Sequence, residues 1–139
     1  MSTSNTNYSK PLPDTEGLHG IFWEGARRGE LLLQQCRECG TKWNQASGFC
    51  PGCLAADFDW VPAAGTGTIY ARIFMHQVYW PSFKDDVPYN VVWVELDEGP
   101  LMTANVVEAA NEDIEIGRRV QVVFDAVTPE ITIPKFRLA

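Results

Sequence analysis

The residues best equipped for chemistry are the four cysteines, which fall as Cys36-Arg37-Glu38-Cys39 and, after ten intervening residues, Cys50-Pro51-Gly52-Cys53. Two Cys-x2-Cys pairs at this separation suit one tetrahedral Zn²⁺ held by four thiolates, with a tight turn under each pair. Gly40 can take the positive φ of such a turn, and Pro51 pre-sets φ for the second. Four sulfurs leave the metal no open position for water or substrate, so the expected zinc, one per chain, is structural. Competing uses of the same residues have other requirements. Redox Cys-x-x-Cys sites sit in a βαβ pattern, which neither pair has around it. Two disulfides need an oxidising compartment, whereas Met1 to Lys10 is polar and holds no apolar signal core. A cytoplasmic location is expected.

With the cysteines committed to metal, little else could act as a catalyst. The histidines are His19 and His76, and the serines Ser2, Ser4, Ser9, Ser47 and Ser82 lie in no nucleophile-elbow context. Asp97, Glu98, Glu112, Asp113 and Glu115 fall in turns and read as solvated faces. Gly65-Thr66-Gly67 precedes a strand rather than a helix, so it is no phosphate-cradling loop. No catalytic residue is expected, and the pattern points to binding or scaffolding.

Composition narrows the partners. A chain of 139 residues suits one domain or two small ones that lean on each other. Net charge is −7, and residues 63–139 carry eleven acidic against six basic side chains. Nucleic-acid binding is driven by Lys and Arg neutralising phosphates, and no basic stripe exists to do so. No apolar run approaches the roughly 18 residues of a membrane span.

The elements that must position these groups follow in order. Residues 1–13 read as a flexible arm. A ribbon unit is expected over 14–62, opened by a helix from Asp14 or Thr15 with Leu18, Ile21, Phe22 and Ala26 at helical spacing. Arg27 and Arg28 complement its last turn and Gly29 stops it. Glu30 to Gln35 is a short strand leading into the first cysteine, Lys42 to Asn44 returns, and Asp57 to Val61 closes the ribbon. Phe49 is expected as a hydrophobic lid near the metal. A barrel is expected over 63–139, with strands Gly67 to Val78, Tyr89 to Leu96, Leu101 to Val107, Arg119 to Val127 and Ile131 to Leu138, and a loop or single helical turn over Ala109 to Ile116. Five short strands in about seventy residues suggest a closed Greek-key barrel of the OB type. The fold class is therefore mainly β: helix and zinc ribbon, then a five-stranded OB barrel.

Large aromatics mark the candidate surfaces. Phe22 and Trp23 on the helix either pack on the chain's own strands or help form a partner surface. Between the first two barrel strands, Tyr79, Trp80 and Phe83 lie in a loop that ends at Tyr89, and these four aromatics either tuck back or meet another molecule.

The ordered set Phe22-Trp23-Glu24, Arg28-Gly29-Glu30-Leu31, Gln35-Cys36-Arg37-Glu38-Cys39-Gly40 and Cys50-Pro51-Gly52-Cys53 carries a resemblance. It continues through Gly65-Thr66-Gly67-Thr68-Ile69-Tyr70, Pro88-Tyr89, Val94-Glu95-Leu96-Asp97-Glu98-Gly99, Ile116-Gly117 with Val120, and Phe136-Arg137. Over residues 11–138 the chain resembles small bacterial and archaeal proteins that join a helix and rubredoxin-like zinc ribbon to a C-terminal OB fold. That family was long labelled a domain of unknown function and is often found beside thiolases. Two departures stand out: Gln45-Ala46-Ser47-Gly48 replaces a common Pro-Arg element, and Leu54 replaces the Gly that often follows the last cysteine.

The resemblance implies a non-catalytic accessory subunit of a thiolase-like enzyme handling a CoA thioester, in steroid side-chain or aromatic-compound breakdown. It would dock on the thiolase in a hetero-oligomer, stabilise it and help shape the acyl-CoA entrance. Arg27, Arg28 and Arg37 are candidates for meeting CoA phosphates, because Arg clamps phosphate bidentately. Two rivals stay open: an OB-fold protein that binds single-stranded nucleic acid, and a stand-alone acyl-CoA-binding protein.

Overall fold

The computed structural model describes residues 8–139, so residues 1–7 of the expected arm lie outside the described residues. The chain runs α1 (Leu18–Arg27), β1 (Leu32–Cys36), β2 (Lys42–Trp43), β3 (Phe58–Pro62), β4 (Thr66–Met75), β5 (Tyr89–Leu96), β6 (Leu101–Ala104), β7 (Arg119–Ala126) and β8 (Thr132–Leu138). Single 3₁₀ turns at Pro81–Phe83 and Asn111–Asp113 interrupt the longer connections. No helix among the described residues is long and apolar enough to cross a membrane.

Helix α1 starts later than expected. Its N-cap is Gly17, because the Asp14 carboxylate accepts a hydrogen bond from the Glu16 N–H (3.0 Å) instead of capping the helix. The end is as expected. Gly29 takes φ 83°, and its N–H and that of Glu30 reach back to the Ala26 and Gly25 carbonyls at 2.9 and 2.8 Å, a Schellman stop. Gly25, unhelpful to an isolated helix, is what lets α1 press on β1: a Cβ there would lie 2.5 Å from the Leu32 Cδ1.

Strands β2, β1 and β3 form a three-stranded antiparallel ribbon, with Gln34 opposite Trp43 on one side and Trp60 on the other. The second sheet is antiparallel in the order β6-β5-β4-β7-β8 and curls into a five-stranded OB-like barrel. Alternation dictates its core: Val92, Val94 and Leu96 of β5 face inward to Ile69, Met102, Ile114, Val120 and Phe136. Leu31 and Leu33 belong to this same cluster. The ribbon is thereby keyed into the barrel's interior.

Two strands stop three residues short of their expected ends. The first barrel strand ends at Met75, and β6 ends at Ala104, after which the chain crosses to β8. There Val106 makes a parallel bridge to Phe136. This bridge is what closes the barrel.

Candidate metal centre and aromatic groove

The two cysteine turns bring the Sγ atoms of Cys36, Cys39, Cys50 and Cys53 within 4.8 Å of one another. Zn–S bonds of about 2.3 Å at tetrahedral angles put sulfurs about 3.8 Å apart. The Cys36–Cys53 and Cys39–Cys50 separations are 3.5 and 3.6 Å, so the set fits one zinc ion. Backbone donors are already aimed at the sulfurs. Glu38 and Cys39 N–H groups donate to the Cys36 Sγ at 3.3 and 3.4 Å, and the Gly52 N–H donates to the Cys50 Sγ at 3.3 Å. Such donors favour thiolates. The Thr41 hydroxyl and backbone pull Cys39 down to about 6. Cys53 receives the Ala55 N–H, yet its sulfur neighbours, Cys36 first, and burial push it up to about 12. Four thiolates at this spacing need a cation among them. Zinc would supply it, saturated by protein sulfur and closed to substrate.

The hydrophobic cover differs from expectation. Phe49 is 60 % exposed, whereas Trp43 is buried beside Cys36 and Cys50 with Phe58 edge-on at 5.8 Å. Trp43 lies in β2, where pairing to β1 turns it inward. Phe49 lies in the irregular link between the knuckles. That link is held elsewhere: the buried Gln34 amide donates to the Ser47 carbonyl at 2.7 Å and accepts from the Ser47 N–H at 3.0 Å.

The three candidate arginines are each engaged by carboxylates. Arg27 pairs with Glu24 at 3.1 Å and Arg28 with Glu30 at 2.9 Å. Arg37 forks between Asp57 and Asp59, both at 2.6 Å, which ties the first knuckle to β3 and holds the Asp59 carboxyl below its usual range. Each would have to leave a carboxylate to take a phosphate.

The aromatics divide. Phe22 and Trp23 of α1, in edge contact at 5.0 Å, line one groove of about 670 Å³ together with Phe83 and Tyr89, whose rings stack at 5.1 Å. Tyr79 and Trp80 stand outside it, 66 % and 59 % exposed. Trp93, which sequence reasoning passed over, completes the wall, its indole N–H donating to the Thr103 hydroxyl at 2.9 Å. The signal was available: in Tyr89–Leu96 the positions of Tyr89, Val91 and Trp93 alternate with the buried set. A tryptophan on the outer face of a strand is a site signal.

Residues 60–125 match the ChsH2 C-terminal OB-fold domain, and residues 23–42 match the ChsH2 rubredoxin-like zinc ribbon domain. A DUF35 domain-containing scaffold protein of Methanocaldococcus jannaschii is 32 % identical over 95 residues, covering 68 % of this chain and 67 % of that protein. The chain belongs to the DUF35 family. A probable enoyl-CoA hydratase alpha subunit of Thermomonospora curvata is 37 % identical over 94 % of this DUF35 chain, which spans 40 % of that protein's length. Among solved structures, a chain of the Ltp2-ChsH2(DUF35) aldolase superposes with TM-score 0.80 at 36 % identity, over 93 % of this DUF35 chain and 98 % of that one.

Proposed function

We propose that this DUF35 chain is a non-catalytic accessory subunit that docks on a thiolase-like enzyme acting on a CoA thioester. The observation that carries the reading is the near end-to-end likeness to a chain of the Ltp2-ChsH2(DUF35) aldolase, a protein whose name joins two components. The T. curvata relative, named as a subunit of a hydratase acting on an enoyl-CoA, supports the thioester class. At the level of residues, a closed four-sulfur centre supplies rigidity without an open coordination site, and the groove supplies apolar surface for a partner. The partner's own side chains perform the chemistry, and breakdown of a steroid side chain or an aromatic compound is the fitting context. The ribbon over 14–62 and the barrel over 63–139 present themselves to the partner as one body through Leu31 and Leu33.

Co-expression with the products of neighbouring genes tests this. A thiolase-like chain recovered in fixed stoichiometry, with thioester turnover dependent on both chains, is the expected result. Turnover by the isolated chain, or a partner-free chain after co-expression, would overturn it.

A further inference from the structure

Among the described residues the barrel closes over one bridge, and the reason is a proline. The Phe136 N–H donates to the Asn105 carbonyl at 3.0 Å and the Val107 N–H donates to the Phe136 carbonyl at 2.8 Å, a parallel rung between the chain beyond β6 and β8. The next rung toward the start of β6 would need an N–H from Pro134, which has none. The ladder therefore stops, and β6 and β8 leave a slot between them.

Ladder alternation then decides which backbone groups of β6 face that slot. The Leu96 N–H bonds the Pro100 carbonyl, and the Asn90 side chain takes both backbone groups of Val106 at 2.8 and 2.6 Å. Even-numbered residues of this strand thus turn their backbone toward β5, and Leu101 and Thr103 turn theirs away. Among the described residues, neither pairs its backbone outside the strand. The free edge runs along the aromatic groove, which is lined by Trp23, Tyr89, Trp93, Leu101, Thr103 and Pro134 among others and contains no Lys, Arg, Asp or Glu. Glu95, opposite Leu101 and without an ion pair among the described residues, marks one end.

We propose that the unpaired edge of β6 accepts an extended segment of another protein chain as an added strand. Unpaired N–H and C=O groups supply affinity, and the adjoining apolar groove takes alternate side chains, as in strand addition generally. The uncharged lining calls for uncharged, β-branched or aromatic residues along the segment, and Glu95 calls for a basic residue at one end. A segment of the partner subunit meets these terms. The proposal rests on the reading of this chain as a docking subunit and names the contact.

The test uses the chain alone, so that its failure and the failure of co-purification are separable. An acetylated, amidated Arg-Val-Thr-Val-Thr-Val peptide is titrated into the ¹⁵N-labelled protein. Saturable shifts at the Leu101, Thr103 and Asn105 amides and the Trp93 indole are expected, with exchange at Thr103 slowed roughly tenfold or more. The same peptide N-methylated at alternate amides should have no effect. Thr103→Pro, which removes an outward N–H at an edge position that tolerates proline, should abolish the shifts. Equal effects from the methylated peptide, changes confined elsewhere, or none at millimolar peptide would overturn the proposal. Concentration-dependent protection of the same amides without peptide would also overturn it, because a second copy of the chain would then be the occupant.

Discussion

Gln34 holds Ser47 through both ends of its side-chain amide, so that one fully buried glutamine acts as a strand for the link between the two cysteine knuckles. Gln34 sits two residues before Cys36, and Ser47 three before Cys50. One residue thereby ties together the segments that lead into both sulfur pairs. Replacing it by Leu leaves the Ser47 N–H and C=O without partners, at a cost of about 2–3 kcal/mol by the usual penalty for orphaned groups. Gln34→Leu should unfold at lower denaturant and release zinc faster to a chromophoric chelator, with the far-UV spectrum of the remaining holo-protein unchanged.

Metal removal should be felt beyond the knuckles. Zinc binding of order 10 kcal/mol folds modules of this size. The segment from Leu31 into β1 connects the site to the barrel core through Leu31 and Leu33. Chelation should therefore shift Trp43 fluorescence to the red and lower the melting temperature of the whole chain. Trp43→Phe identifies that signal against the other tryptophans. A barrel melting at an unchanged temperature after zinc loss would contradict the shared core.

Leu54 occupies a left-handed conformation, φ 66°, while its side chain is 74 % exposed. The Leu54 N–H closes the second knuckle on the Cys50 carbonyl at 2.9 Å, and that geometry suits glycine. The left-handed conformation costs a non-glycine residue about 1–2 kcal/mol, partly offset by the greater chain entropy that glycine loses. Leu54→Gly should be neutral to stabilising, by up to about 1 kcal/mol, in chemical denaturation. Marked destabilisation would mean that the Leu54 side chain packs in a way its exposure denies.

Arg119 grips Asp97 with two guanidinium nitrogens at 2.7 and 2.9 Å, which with the Thr66 hydroxyl holds the Asp97 carboxyl well below the usual range. A depressed carboxyl binds fewer protons folded than unfolded. Its contribution is therefore complete above the ordinary carboxylate pKa of about 4 and fades as pH falls through the lower folded value. Asp97→Asn should lower the melting temperature at pH 7, and the gap to the unaltered protein should narrow in a series taken below about pH 4. It should also narrow in high salt, because the pair is exposed. A gap independent of pH would exclude this origin.

The sequence by itself determined the four metal ligands, the helix stop at Gly29 and nearly every strand, because each rests on short-range facts: a two-residue spacing, a positive φ, a period of two. Tertiary structure alone decided that Trp43 rather than Phe49 covers the sulfurs, since that depends on which face of a two-residue strand meets β1. It also gathered Phe22 and Trp23 with Phe83, Tyr89 and Trp93, residues up to seventy-one positions apart, into one groove while leaving Tyr79 and Trp80 outside. The incomplete barrel closure belongs to the same class. Pro134 is plain in the chain, but only the juxtaposition of β8 with β6 turns its missing N–H into an open edge, because a hydrogen bond is lost only where two strands would otherwise meet.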